Sequence, residues 1–389
     1  MVVRIADSVL TPLGLGTKVN YHNLKEGQTG LKRYDRLWNL PDPFVASFLD
    51  ESIISHYAEG LSIQNGYTRV EKMAIIAISD AIKGVDIDLS QDDVLFVLAT
   101  AKGNVHLLEN NSITSEEVEL PRIAKKIARW FGNYREPIVV SNACISGVQA
   151  QIEAWRILYA HFAQYVVVVA ADMLSPFVVS GFQSFKALST ALCRPFDEDR
   201  MGLNLGEAAA CAVYRRKPIQ DVFWGEWAIA AGAVFNDSYH ISHPSKTAEG
   251  SSLALLAVLC DSTPNQISMI NVHGTATMFN DEMESVALER TGLSNIPINS
   301  LKGYFGHTMG ASGLLETLIT MASLDDGIVL GTKGFSSLGV SKMVNISSMN
   351  RPACPKSFIK LASGFGGCNA AIRYVNVKYE QDSLCSHFS

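Results

Sequence analysis

Charge is scarce in this sequence. Of 389 residues, 18% are Asp, Glu, Lys or Arg, against 48% hydrophobic. An ordinary soluble protein carries about 25% charged residues. The shortfall excludes a disordered chain. It points to a high ratio of buried to exposed surface, from a large compact body or a sizeable oligomer interface. Basic excess is lacking too. The formal net charge is −6, which argues against a general nucleic-acid binder. No apolar run approaches the ~20 residues of a membrane span; residues 165–171 (YVVVVAA) stop short at Asp172. Before Asp7 there is no apolar core of signal-peptide length. The seven cysteines show no CxxC spacing, which favours a reduced, cytoplasmic protein over a disulfide scaffold or zinc module. Nine histidines include no HExxH and no spaced cluster, so no metal is expected. GxSxG, a P-loop and a GxGxxG after a strand are missing as well.

What is present is alternation. Residues 94–99 (VLFVLA), 138–141 (IVVS) and 165–171 have the length and valine content of buried strands. Residues 67–84 read as a helix with Val70, Ala74, Ala77 and Ala81 on one face, and 145–161 as a second, central one. The theme returns with strands at 224–235, 267–272, 358–363 and 370–377 and a helix at 312–323. Strand–helix–strand alternation predicts an α/β architecture with mostly parallel sheets. Residues 101–136 are more polar and read as loops plus one helix over 122–131. A small-residue turn opening an apolar helix occurs once in each half, hinting at duplication with a seam near residues 215–220.

Cys144 lies in the first of these turns, Ala143-Cys144-Ile145-Ser146-Gly147. A thiol at a helix N-terminus sits in the positive end of the macrodipole, which lowers its pKa. Read alone, it fits an inert buried thiol as well as a nucleophile. Cys193, Cys211, Cys260, Cys354, Cys368 and Cys385 lack this combination. His273 ends a predicted strand and opens His273-Gly274-Thr275-Ala276-Thr277, where open α/β sheets place their ligands. Asn280 or Asp281 then fits the N-cap of the next helix. Lys302 and His307 share a glycine-rich stretch, 300–313, and Glu316 follows at helical spacing to pair with Lys302. Gly364-Phe365-Gly366-Gly367 links the last two strands, with a bulky ring on a flexible turn. One soft nucleophile, two imidazoles, one ammonium and one donor-rich turn suit acyl transfer through a thioester.

In this order the stretches resemble the β-ketoacyl synthase family of condensing enzymes, nearly end to end. Residues 9–14 (VLTPLG) are similar to its opening strand and turn. Residues 186–189 (KALS) and 194–197 (RPFD) are similar to its middle signature. The resemblance implies the thiolase-like α/β fold, with duplicated βαβαβαββ halves in a five-layer αβαβα arrangement. We place the halves at 1–217, carrying the nucleophile, and 218–389, carrying the histidines. It implies a β-ketoacyl-ACP synthase, an acyltransferase of fatty-acid or polyketide/polyene biosynthesis with no cofactor. Cys144, His273, His307 and Lys302 are then catalytic. Phe365 supplies an oxyanion donor and a gate, Glu316 stands behind Lys302, and Thr275 and Thr277 bind the pantetheine arm. The implied partners are an acyl carrier protein and a second subunit, in a homodimer or a heterodimer with a related chain.

Departures from the family point to a specialised member. Ala6 and Ser8 stand where glycines are usual. Arg200-Met201-Gly202-Leu203 replaces Arg-Asp-Gly-Phe, removing a carboxylate expected near Lys302. The first half is shortened around 104–136. Two alternatives are a non-catalytic chain-length partner, disfavoured by Cys144 with both histidines, and an acyl-CoA thiolase, disfavoured by His307. Docking an acidic carrier to an acidic chain calls for a local basic patch. Arg122, Lys125, Lys126 and Arg129, or Arg69 and Lys72, are the candidates. Trp155, Phe177 and Phe182 fit core packing better than an acyl pocket.

Overall fold

The valine runs bury both faces, which is why they read as unbroken apolar strands. The computed structural model describes residues 1–109, 115–223, 225–260 and 262–377; Trp224 and Cys385 lie outside that range. Five strands build the first half of a mixed sheet: β1 (Val2–Thr11), β2 (Val94–Ala99), β3 (Ile138–Val140), β4 (Tyr165–Asp172) and β5 (Ala208–Arg216). Five more follow: β6 (Trp227–Asn236), β7 (Met269–Asn271), β8 (Pro297–Asn299), β9 (Ser357–Gly364) and β10 (Cys368–Asn376). Across the sheet the order is β8-β7-β9-β10-β6-β1-β5-β4-β2-β3. The two sets repeat one topology. In each, the first strand pairs antiparallel with the fifth and the fifth antiparallel with the fourth, and the remaining pairs are parallel. They meet where β1 and β6 pair at Val2–Ile229 and Val3–Ala228.

The layers follow from side-chain alternation. On β4, Val166, Val168 and Ala170 enter a central core, while Val167, Val169 and Ala171 enter an outer one. That outer core holds helices α1 (Arg69–Ala81) and α2 (Leu120–Trp130). Thr68 and Glu71 form a capping box at the start of α1. The central core holds α3 (Ser146–Tyr159) and, from the second half, α7 (Ser312–Asp325). Between them in sequence come α4 (Pro176–Ser184), α5 (Glu249–Leu259) and α6 (Met278–Arg290). The last two cover the far face of the second half. The result is five layers, αβαβα. No helix among the described residues is long and apolar enough to cross a membrane.

The central helices touch backbone to backbone at their N-termini. A Cβ on Gly147 would meet Gly310 O at 2.7 Å and Leu314 N at 2.8 Å. Neither contact is the yielding end of a side chain. Gly147→Ala is expected to destabilise the fold by about 1–3 kcal/mol, the usual cost of overpacking. Urea unfolding of the variant beside the wild type checks this.

Candidate active site

Three loops at the carboxyl ends of the parallel strands converge on one cavity. Between β3 and α3 the chain turns sharply, with Ala143 at φ +46°. Ser146 Oγ locks the turn by donating to Ala143 O (2.7 Å) and accepting from Asn142 N (2.8 Å). This leaves Cys144 partly buried at the N-terminus of α3, with its sulfur facing the cavity.

His273 follows β7. Its loop is held by two carboxylates of α6. Glu284 accepts from His273 N (2.6 Å) and Gly274 N (2.7 Å), and Asp281 from Thr275 N (3.0 Å) and Ala276 N (3.1 Å). Asp281 is therefore not the helix cap, nor is Asn280. Thr277 caps α6, accepting from Asn280 N. The sequence signal was a pair of acids three residues apart straight after the threonines. That spacing puts both on one helix face.

His307 follows a short helix, Lys302–Phe305. His307 N donates to Asn204 O (2.7 Å), and Gly206 N donates to His307 O (3.0 Å). The ligand atoms of Cys144, His273 and His307 lie within 4.8 Å of one another. The imidazole rings meet edge to face, centroids 5.0 Å apart.

Behind them is a buried ionic network. Lys302 Nζ donates to Glu316 Oε1 on α7 (2.7 Å). Sequence reasoning missed the second ammonium. Lys360 of β9 donates to the other oxygen of Glu316, to Asn271 Oδ1 (2.6 Å) and to Val272 O (3.2 Å). Its signal was the one charged residue in a buried strand. Beside Lys302 the carboxylate is Glu316, which serves both ammoniums. Met201, standing in the aspartate's position, is 73% exposed and lines the cavity mouth.

The cavity, about 210 Å³, is lined by Cys144, His273, His307, Thr275, Thr277 and Phe365 among others. The two threonine hydroxyls lie 2.9 Å apart. Phe365 is 38% exposed on the β9–β10 turn, its ring against Phe182 (5.9 Å) and Phe185 (5.5 Å). Phe182 is buried in an apolar cluster with Phe44, Leu174, Val178 and Leu203, as expected, and one side of it also lines the cavity; Phe177 is exposed, and Trp155 packs beside the central core away from the site.

Electrostatics reverse one expectation. Burial pushes the Cys144 thiol up to about 12; the Cys368 thiol adds to this, and Lys302 and Lys102 oppose it. The helix terminus opposes it too, but desolvation dominates, so the resting residue is a thiol. Burial and the neighbouring ammoniums push His273 and His307 well below the usual imidazole range. Both rings are neutral at pH 7. The thiol proton of Cys144 therefore has two neutral imidazoles beside it.

Four of the six basic candidates are tied up in ion pairs. Arg122 pairs with Glu116, Lys125 with Glu136, Lys126 with Glu71, and Arg69 with Glu51 and Glu207.

The beta-ketoacyl synthase N-terminal domain matches residues 101–218 of this chain, and the C-terminal domain of the same proteins matches residues 227–336. The chain is 32% identical over 266 residues to 3-oxoacyl-[acyl-carrier-protein] synthase 2 of Vibrio cholerae, covering 60% of this chain and 61% of that one. Its fold is similar to a ketosynthase (ApeO) in complex with its chain length factor (ApeC) from Xenorhabdus doucetiae. The TM-score is 0.85 at 22% identity, over 96% of this chain and 98% of that one. It is also similar to a type II polyketide acyl carrier protein complex with its ketosynthase (TM-score 0.79, 20% identity, 96% and 98% covered).

Proposed function

The chain belongs to the β-ketoacyl synthase family, and from that premise we propose that Cys144, His273 and His307 carry out a decarboxylative Claisen condensation. It is an acyltransferase. The observation that carries the residue assignment is the meeting of one thiol and two neutral imidazoles in one cavity.

In the first step Cys144 Sγ attacks an acyl thioester. A neutral imidazole takes the thiol proton and returns it to the departing pantetheine thiol. The N–H groups of Cys144 and Phe365 face the oxyanion of that step. Next, a malonyl thioester loses carbon dioxide, and its C–C bonding pair becomes an enolate. His273 and His307 stabilise the enolate oxygen by hydrogen bonds. The enolate carbon attacks the Cys144 thioester, the C–S bond breaks, and Cys144 leaves as thiolate to regain a proton. Lys302 and Glu316 act through the imidazoles' surroundings. Phe365 gates the acyl site, and Thr275 and Thr277 hold the pantetheine arm. Incubation with an acyl thioester should add one acyl mass at Cys144, and malonyl thioester should then release carbon dioxide. Acylation mapped to another residue overturns the assignment.

The substrates proposed are acyl and malonyl groups on an acyl carrier protein, and the working form is a dimer of like or related chains. The repeated strand order supports halves at 1–217 and 218–389. A reduced, cytoplasmic setting suits a thiol nucleophile. The Cys-His-His set weighs against a non-catalytic chain-length partner.

Docking is expected at the cavity mouth rather than at α2. Lys186 is the one Lys or Arg among the lining residues, and it is exposed. Lys186→Glu should raise KM for carrier-bound acyl groups about 3–10-fold, with little change for small thioesters, since only the carrier is acidic. Steady-state kinetics with both donors checks it. Equal effects on both contradict the docking site.

A further inference from the structure

Lys360 has no part in the chemistry above, yet it is fully buried beside it. On β9, Phe358 and Ala362 enter the central core while Ile359 and Leu361 enter the outer one. Lys360 shares the face of Phe358 and Ala362, which turns it toward α7 and Glu316. An aliphatic side chain would fill this place without the cost of desolvating a charge. A buried ion pair is weak evidence for stability, so the ammonium asks for another account.

We propose that Lys360 is a positioning residue of the site: with Lys302 it holds both oxygens of Glu316, and through Asn271 and Val272 it fixes the strand end that delivers His273. The inference rests on the reading of His273 and His307 as the working imidazoles.

A charge count gives the consequence. Two ammoniums share one carboxylate, leaving a surplus positive charge among buried groups. The charged and titratable groups around it are Lys302, Glu316, Glu284, Asp281, the two imidazoles and the Cys144 thiol. Glu284, pushed up to about 7 by burial and by Asp281, offers only partial compensation at neutral pH. Lys360 itself is pushed down to about 8 by burial, against the pull of Glu316, and stays largely charged at pH 7. The surplus disfavours protonation of both rings. It keeps one of them available to take the Cys144 proton.

The test is Lys360→Met, which keeps the length and removes the charge. Single-turnover acylation of Cys144 falls on the acid side as the imidazole protonates. Removing the nearby cation raises the imidazole pKa. The acid limb should therefore move to higher pH by about one unit, with the plateau rate less affected. Titration of 13C-labelled His273 and His307 by NMR should show the same shift without any substrate. An unchanged acid limb and unchanged histidine titrations in a folded variant overturn the proposal. Should Lys360→Met not fold, Lys360→Gln, which keeps a donor for Asn271 but no charge, is read the same way. Wild-type protein that forms no acyl-Cys144 would instead overturn the condensing assignment, while the NMR titrations still decide the role of Lys360.

Discussion

Replacing Cys144 with Ala is expected to abolish acyl-enzyme formation while leaving decarboxylation of a malonyl thioester measurable. The two outcomes separate because the site divides its labour. Condensation needs Cys144 Sγ as the acyl carrier, and without it no C–S bond forms. Deleting the nucleophile of a catalytic constellation costs on the order of 10⁴–10⁶ in rate. Loss of carbon dioxide needs only an acceptor for the enolate charge, and His273 and His307 remain in place. Their positions depend on Glu284, Asp281 and Asn204, none of which touches the thiol. Intact-protein mass spectrometry reads the first outcome and released carbon dioxide the second. Cys260 and Cys354 are exposed thiols away from the cavity, so peptide mapping must exclude adducts there. An acyl adduct that persists on the variant within the cavity, or decarboxylation lost together with condensation, contradicts this division.

How far this site was legible in the sequence depended on what each residue packs against. The strands at 94–99 and 165–171 declared themselves because both faces are buried, so their positions are apolar throughout. β5 did not. Its core reads Ala208-Ala209-Ala210-Cys211-Ala212, a helix-like composition, yet it lies between β1 and β4. Small side chains there let α1 and α7 approach the sheet. Cys144, His273 and His307 were found because small residues and glycines surround them. The state of Cys144 was misjudged, because a helix terminus is visible in sequence and desolvation is not. Lys360 escaped for a related reason: its meaning comes from Glu316 and Asn271, 44 and 89 residues away.

The same network sets the second large effect. Glu316→Ala is expected to cost about 3–5 kcal/mol of stability at pH 6, because it strands two buried ammoniums without their shared carboxylate. Lys302 and Glu316 are 1% exposed and Lys360 is 0%, so water cannot replace the lost partner at little cost. The wild-type carboxylate is held below its usual range: burial would raise it, and the ammoniums of Lys302 and Lys360 overcome that. Its contribution is therefore fully present above pH 4.5 and lost as pH falls through its folded-state value. The variant should show a distinct pH dependence. In the wild type Lys360 is pushed down to about 8, so it has lost about half its proton there. Removing Glu316 takes away the main group holding that proton, so in the variant the loss begins at lower pH. Between that lower value and 8, the variant's unfolded state binds more protons than its folded state. Its stability therefore starts to rise at lower pH than the wild type's contribution from Lys360 does. The penalty at pH 8 should thus be smaller than at pH 6. Urea unfolding of both proteins at the two pH values measures it. A penalty under about 1 kcal/mol, or one that grows with pH, would mean that the two ammoniums do not depend on Glu316. A smaller penalty at pH 8 shows that the fold tolerates the loss by discharging Lys360. That event leaves Lys302 as the one unpaired ammonium beside His273 and His307, the same surplus of one positive charge that the wild type carries.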